Sequence, residues 1–226
     1  MVRIKMVTPE DRIKKIYAQR LKEAKTRVLP IDSDSVIEQE ISFGCFRLEG
    51  VISNYVRPGM TVIDFGSGPG HDLFLASQVV GSEGRAIGVD MTEDMIIEVE
   101  EKAREHGIDN VEMVKANIED IPLPDGIADV IISNCVICIA NSKHNVFREA
   151  FRLLKPGGVL LDADLIANEP NQTGCGSGAL TMQEHEHVLK TIGFDTVLVE
   201  RGTKDLVTHE QEGVYSGLIS ARKPDN

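Results

Sequence analysis

The stretch VIDFGSGPGHD, residues 62–72, carries a strand, a glycine-rich loop and the start of a helix in immediate succession. Three glycines, Gly66, Gly68 and Gly70, separate its apolar beginning from a segment with helical spacing. Glycines at such a junction allow a tight turn and let the backbone approach a ligand at the positive end of the helix. Asp90 ends the next apolar run, 20 residues beyond Gly70, where an acidic side chain accepts hydrogen bonds from ribose hydroxyls. The stretch therefore predicts a site for a nucleoside-bearing ligand.

The same alternation of short apolar runs and helical segments continues along the chain. Strands are predicted at 61–65, 85–90, 111–117, 128–133 and 157–164, with helices at 71–80, 92–107 and 143–154. After a helix at 181–193, strands at 195–201 and 214–222 are joined by a loop alone. Strands that alternate with helices form a parallel sheet covered on both faces. We predict an α/β fold, namely a Rossmann-like, doubly wound, mostly parallel seven-stranded sheet with an antiparallel C-terminal strand pair.

The spacing of the loop glycines favours one kind of ligand. Gly70 follows Gly68 after one residue rather than two, which fits adenosyl sulfonium binders better than dinucleotide binders. Further along, Ile118 is predicted on the adenine face, with Glu119 or Asp120 reaching the adenine amino group. The alternatives are a simple glycine turn capped by an aspartate, and ordinary loop acids before the turn PLPDG.

Composition limits the partners and the compartment. The 226 residues include 24 Lys and Arg against 36 Asp and Glu, a net charge of -12. Such a surface repels a phosphate backbone, so no nucleic acid partner is expected. No apolar run approaches the roughly 18 residues of a membrane span, and the N-terminus lacks a secretory signal. We expect a cytoplasmic protein without a membrane partner, in which four cysteines are free thiols, ligands or redox groups rather than bridges.

Two of the cysteines are expected at the ligand-binding edge of the sheet. Cys135 follows the strand DVIIS, and Cys175 lies in the loop that leaves the strand ending in DAD. Ligands of open α/β sheets bind outside the carboxyl ends of the strands, where the glycine loop also lies. Cys45 comes 90 residues before Cys135 and can cover this edge, although the sequence does not oblige it to.

With VIDFGSGPGHD, GVDMTEDMI, NVEMVKANIEDIPLPD, DVIISNCVICI and LLKPGG, the chain resembles class I S-adenosylmethionine methyltransferases over about residues 50–165. The stretches SFGCF, SNCVI and GCGSGALT resemble the arsenite methyltransferase family more narrowly. The resemblance implies that Cys45, Cys135 and Cys175 bind arsenic. The predicted S-adenosylmethionine site consists of Asp64, Gly66, Ser67, Gly68, Gly70, Asp90, Met91, Ile118, Glu119 and Asn134.

The same resemblance sets the expected domains and chemistry. Residues 1–50 are expected to form a helical and loop cap carrying one substrate thiol, and residues 51–226 the cofactor-binding domain with a lid loop at about 165–180. Three thiolates would bind trivalent arsenic, a soft centre, and leave its lone pair free to attack the sulfonium methyl group. No general base is needed, so the protein's main task is positioning. A glutathione-like or thioredoxin-like reductant is a further possible partner.

Other interpretations of these residues remain open. Any of the cysteines can be a small buried hydrophobe, and for Cys138 packing in the core is favoured. Cys135 and Cys138 form a C-x-x-C that lacks the second pair of a zinc site, while a regulatory disulfide stays open. HEH at 185–187 is predicted to be solvated surface, since residues two apart do not share a helix face. The alternative functions are methylation of another small thiol or soft metalloid, and metalloid binding or sensing without catalysis.

Overall fold

The computed structural model describes residues 15, 48–170, 178–202 and 213–226. The helices are α1 (Glu49–Tyr55), α2 (His71–Val80), α3 (Glu93–His106), α4 (Lys143–Leu153) and α5 (Met182–Ile192), with a 3₁₀ turn at Ile137–Ile139. The strands are β1 (Thr61–Phe65), β2 (Arg85–Asp90), β3 (Val111–Lys115), β4 (Ala128–Asn134), β5 (Leu154–Ala167), β6 (Thr196–Arg201) and β7 (Val214–Arg222). Cys45, Cys175 and residues 1–47 of the predicted N-terminal cap, apart from Lys15, lie outside the described residues.

All seven strands form one sheet in the order β3-β2-β1-β4-β5-β7-β6. Strands β1 to β5 pair in parallel, whereas β7 runs antiparallel to both β5 and β6. This arrangement confirms the predicted fold class. The carboxyl ends of β1 and β4 are neighbours, because Phe65 pairs with Ser133. The loops that follow these two strands therefore leave the same edge side by side.

The two faces of the sheet bury separate sets of apolar side chains. Ile63 and Ile131 face α4 and α5 in the cluster that contains Phe147. Val62 and Val130, one position away, face α1 and α2 on the other side. Side chains along a strand alternate between the faces, and each fully buried Val or Ile contributes about 1.5–3 kcal/mol. The central strands are therefore buried on both faces.

Helix α5 begins in a capping box and buries a histidine that the sequence had placed at the surface. Thr181 Oγ1 accepts a hydrogen bond from the Glu184 amide, and the Thr181 amide donates one to the Glu184 carboxylate. The prediction that HEH is solvated is wrong for His185, which is 3% exposed. Its Nδ1 lies 2.9 Å from the Thr181 carbonyl oxygen, and burial lowers its pKa. His187 is exposed, so the two histidines indeed lie on different faces.

Strand β5 is longer than predicted and contains the KPGG sequence, residues 155–158, as an irregularity. Leu154 pairs with Ala128, and the next pair joins Val159 to Val130. Residues 155–158 thus loop out of the register before pairing resumes. None of the helices in the described ranges has the length and apolar composition that crossing a membrane requires.

Candidate functional site

The glycine loop, residues 66–70, turns between β1 and α2 through left-handed backbone. The φ angles of Gly66, Gly68 and Gly70 are 66°, 53° and 98°, a region that favours glycine. A Cβ on Gly66 would lie 2.6 Å from a methyl group of Val136. A Cβ on Gly68 would meet only the Gly66 carbonyl oxygen, at 3.9 Å. The loop is therefore closely packed at Gly66 and open to a ligand at Gly68.

Asp90 is hydrogen-bonded to this loop, and its contact with ribose hydroxyls stays a prediction. Its Oδ2 accepts a hydrogen bond from the Gly68 amide (3.0 Å), and its Oδ1 accepts one from the Thr92 amide (2.8 Å). Burial raises the pKa of Asp90, while the hydrogen bonds from Thr92, Gly68 and Met91 oppose that rise. The acid at the end of β2 and the loop after β1 are thus joined by a hydrogen bond, and Met91 beside Asp90 is partly buried.

Two further carboxyl groups lie beside the loop, and the sequence had singled out only one. Asp64 is 3% exposed and Asp72, in the first turn of α2, is 7% exposed. Burial, followed by the charges of Asp72 and Asp90, raises the pKa of Asp64 well above its usual value. Asn134, at the end of β4, donates from Nδ2 to Asp72 Oδ2 (2.8 Å). The signal for Asp72 was its place directly after the glycine loop, at the start of the helix.

The remaining predicted cofactor residues occupy different environments. Ile118 is 7% exposed and packs in the core cluster with Val89, and Ser67 is buried with its Oγ 3.9 Å from the Met113 sulfur. Glu119 Oε1 accepts hydrogen bonds from the amides of residues 141 and 142, at 2.8 and 3.1 Å. Glu119 therefore caps the segment that enters α4, and its contact with adenine stays a prediction.

The second loop at this edge is the thiol turn, residues 135–138. Cys135 follows β4 directly and has a φ of 62°. In the described part of the chain, every other residue with a positive φ is a glycine. Such a conformation costs an L-residue about 1–2 kcal/mol. The Cys135 amide donates to the Ala163 carbonyl oxygen (2.8 Å). The left-handed backbone is thus held in place by β5.

The thiol turn brings a second thiol and a carboxyl group next to Cys135. The ligand atoms of Cys135, Cys138 and Asp164 all lie within 4.8 Å of one another. Asp164 Oδ2 accepts a hydrogen bond from the Cys138 amide (2.7 Å), and Oδ1 accepts one from the Leu165 amide (2.7 Å). The pKa of Asp164 rises to about 7, because it is buried and lies near Cys135. The hydrogen bond to Cys135 and burial raise the pKa of the Cys138 thiol.

Sequence reasoning missed this cluster in part. Cys138 was expected to pack in the core, and it is 9% exposed, but it also contacts the Cys135 thiol and Asp164. Asp162 and Asp164, both in β5, are 0% and 1% exposed. The letters DAD held the signal, because residues two apart on a strand share a face. Asp162 is paired with Ser133 of β4, and burial, followed by the charge of Asp164, raises the pKa of Asp162 well above its usual value.

The chain that returns after residues 171–177 rests on the thiol turn. A Cβ on Gly178 would collide with the Cys138 carbonyl oxygen and lie 2.9 Å from Lys143 Nζ. Ala179, 8% exposed, belongs to the small apolar cluster against which Cys135 packs. The end of the predicted lid segment therefore contacts Cys138 through Gly178, and Ala179 shares an apolar cluster with Cys135.

A doubly wound sheet with a glycine loop after its first strand and an acid at the end of the second defines a Rossmann-like class that binds nucleosides at this edge. Comparison with known sequences specifies the class further. The pattern of the family described as Methyltransferase domain matches residues 57–173. The chain belongs to this methyltransferase domain family, which confirms the predicted class.

Individual relatives agree with this assignment. The chain is 34% identical over 218 residues to the arsenite methyltransferase of Halobacterium salinarum, covering 87% of this chain and 55% of the relative. An S-adenosylmethionine-dependent methyltransferase from Aquifex aeolicus superimposes with a TM-score of 0.67 at 25% identity, covering 89% of this chain and 97% of that one. An arsenic(III) S-adenosylmethionine methyltransferase from Chlamydomonas reinhardtii has the same fold, with a TM-score of 0.63 at 24% identity and coverages of 94% and 73%. The chain spans about half the length of the curated arsenite methyltransferases it matches.

Proposed function

We propose that this protein transfers a methyl group from S-adenosylmethionine to trivalent arsenic held by cysteine thiolates. One observation carries the proposal. The thiol turn touches the glycine loop, since Val136 fills the space in which a Gly66 side chain would stand. A soft ligand bound at Cys135 would therefore lie beside a cofactor bound at the glycine loop. The similarity to arsenite methyltransferases agrees with this substrate.

The glycine loop fits S-adenosylmethionine on the geometry of its own residues. The open space at Gly68 permits close approach of a ligand, and Asp90, bound to Gly68, presents a carboxylate suited to ribose hydroxyls. When bound, S-adenosylmethionine supplies an electrophilic methyl group on a sulfonium sulfur. The buried carboxyl groups of Asp64 and Asp72 lie beside the loop, and acidic side chains there disfavour a polyphosphate ligand.

Cys45 and Cys175 complete the proposed set of arsenic ligands. Gly178, three residues after Cys175, lies against Cys138, and three extended residues span at most about 11 Å. The length of chain between Cys175 and Gly178 is thus compatible with the proposed role of Cys175. Leu48, three residues after Cys45, is fully buried with the cluster that contains Ala163. The carbonyl oxygen of Ala163 accepts the hydrogen bond from the Cys135 amide.

The task of the protein in this reaction is positioning. Thiolates bind trivalent arsenic far better than carboxylates or water do, and their protons leave when arsenic binds. The arsenic lone pair attacks the methyl carbon in line, so no side chain has to remove a proton from the acceptor. Holding the two reactants in contact can supply on the order of 7 to 11 kcal/mol of the barrier reduction. Arsenic is oxidised as the lone pair becomes the new bond, so a thiol reductant is expected to restore the trivalent state.

Transfer of isotope from methyl-labelled S-adenosylmethionine to arsenite tests the proposal. We expect labelled methylarsenic from the unmodified chain and none from Cys135→Ser, which should keep its affinity for S-adenosylmethionine. Tight binding of arsenite without labelled product would favour a binding or sensing protein. Transfer to a small thiol but not to arsenite would favour the alternative substrate.

A further inference from the structure

The chain that leaves the thiol turn is held by a carboxylate from a different loop. Glu119 lies in the loop that follows β3, and its Oε1 accepts hydrogen bonds from the amides of Asn141 (2.8 Å) and Ser142 (3.1 Å). A 3₁₀ turn, Ile137–Ile139, joins the thiol turn to these amides. A displacement of the two amides would therefore shift the turn that carries Cys135.

The loop that carries Glu119 is also attached to the cofactor side of the site. The Ala116 amide donates to the Asp90 carbonyl oxygen (3.1 Å), and Ile118 packs in the core. The Glu119 amide donates to Asn117 Oδ1 (3.0 Å), which fixes the backbone from which the carboxylate extends. Glu119 therefore stands between the acid predicted to bind ribose and the exit of the thiol turn.

Helix α4 is attached to the same loop at its other end. Arg152, in the last turn of α4, donates to the carbonyl oxygens of Ile121 (2.8 Å) and Leu123 (2.7 Å). Glu149 accepts a hydrogen bond from the Ile121 amide (3.0 Å). The loop after β3, the thiol turn and α4 are thus joined into one hydrogen-bonded unit.

The charge on Glu119 strengthens this attachment. Hydrogen bonds to a carboxylate are roughly twice as strong as those between neutral groups. Burial lowers the pKa of Lys143, and the charge of Glu119 is among those that oppose this change. Lys143 Nζ in turn donates to the Ala140 carbonyl oxygen (2.8 Å), so the same short segment is held at a further point.

We infer that Glu119 is a positioning residue for methyl transfer. Its carboxylate holds the exit of the thiol turn, so that an acceptor bound at Cys135 stands at a fixed distance from a cofactor bound at the glycine loop. The inference assigns Glu119 to the thiol turn rather than to the adenine amino group, and it rests on the proposed function for the identity of the reacting groups. Such placement matters, because a misplacement of about 1 Å can lower a rate on the order of 100-fold.

Substitutions at Glu119 test the inference. Glu119→Ala removes the acceptor of both amides, and we expect the single-turnover rate of methyl transfer to arsenite, with both substrates saturating, to fall on the order of 100-fold. The dissociation constant of S-adenosylmethionine, measured by calorimetry, should stay unchanged. Glu119→Gln keeps an oxygen at the same reach and should restore most of the rate, whereas Glu119→Asp is one methylene shorter and should not. Glu112→Ala is the control, since Glu112 is exposed near the beginning of β3 and pairs with Arg85.

A second readout does not involve arsenic. Alkylation of Cys135 by iodoacetamide, followed by mass spectrometry of the peptide that contains it, reports how firmly the turn is held. We expect faster alkylation in Glu119→Ala than in the unmodified chain, recovery in Glu119→Gln, and no change in Glu112→Ala.

Two outcomes would overturn the inference. One is a raised dissociation constant of S-adenosylmethionine with an unchanged rate at saturation, which would place Glu119 at the adenine. The other is an equal rate for Glu119→Gln and Glu119→Asp, a comparison that decides the matter even if Glu119→Ala does not fold. The two proposals fail separately. An unmodified chain that does not methylate arsenite refutes the proposed function, while alkylation of Cys135 still tests the inference. Methylation whose rate Glu119→Ala leaves unchanged refutes this inference alone.

Discussion

The glycine loop and the thiol turn are neighbours at one edge of the sheet, and both pass through left-handed backbone. In each, a carboxylate from an adjacent strand accepts a hydrogen bond from a loop amide. Asp90 accepts from Gly68 at 3.0 Å, and Asp164 accepts from Cys138 at 2.7 Å. In the glycine loop the left-handed positions are glycines, whereas in the thiol turn the left-handed position is Cys135, which carries a side chain.

This difference shows what each loop has to present. At Gly66 a side chain is excluded, because Val136 already fills the space. At Cys135 the left-handed backbone costs about 1–2 kcal/mol, and the position carries a partly exposed thiol. The first loop therefore offers open backbone to a ligand, and the second offers a chemical group. Substitutions that exchange these properties test the comparison directly.

The largest effect is expected for Gly66→Ala. The new Cβ would stand 2.6 Å from Val136, so overpacking of about 1–3 kcal/mol adds to left-handed strain of about 1–2 kcal/mol. Gly68→Ala is the matched control, because its Cβ meets only the Gly66 carbonyl oxygen at 3.9 Å. Gly68→Ala should lose stability only through the left-handed strain, and its affinity for S-adenosylmethionine should fall. Urea unfolding of both variants measures the difference, and equal losses would contradict the close packing at Gly66.

Asp164→Ala is expected to destabilise the protein by about 2 kcal/mol, because two buried amides lose their acceptor. These are the amides of Cys138 and Leu165. Asp164→Asn keeps one acceptor oxygen and should lose less than half as much. Chemical unfolding at neutral pH measures both variants. If Asp164→Ala were as stable as the unmodified chain, the hydrogen bonds from Asp164 would not stabilise the thiol turn. The parallel with Asp90, which accepts from the Gly68 amide, would then fail.

The carboxyl groups below the glycine loop predict a pH dependence of stability. Burial, together with the charges of Asp72 and Asp90, raises the folded-state pKa of Asp64 well above its value in the unfolded chain. The folded state then binds the Asp64 proton more tightly, so this group's stabilisation is complete below the unfolded pKa and is lost as pH rises through the folded pKa. Asp64→Asn cannot ionise and should show a smaller loss of stability on raising the pH. Thermal unfolding of both proteins in a series of buffers checks the sign, and parallel curves would refute it.

The same two loops show how far sequence carries the prediction. The spacings of the strand, the glycines and Asp90 predict a strand, a loop and a helix with an acid at the end of the next strand, and the structure has these elements. The contacts of these residues with a cofactor stay a prediction. The thiol turn was harder, because hydrophobic pattern alone cannot tell a buried ligand from a buried core residue at Cys138. Likewise, the spacing of HEH indicates that its two histidines lie on different faces of the helix. It does not indicate which face packs against the rest of the protein, and in the structure His185 packs against Phe147.

The smallest effect comes from exchanging Cys135 for the two smallest residues. Cys135→Gly relieves the left-handed strain that Cys135→Ala retains, so the glycine variant should be the more stable by about 1 kcal/mol. Both variants lose the thiol and should lose arsenic binding equally, which separates the backbone role of the position from its chemical role. Urea unfolding and arsenite binding, measured on the same samples, provide the two readouts. An alanine variant more stable than the glycine variant would mean that Cys135 is not strained, and the contrast with the glycine loop would then lie only in the side chain.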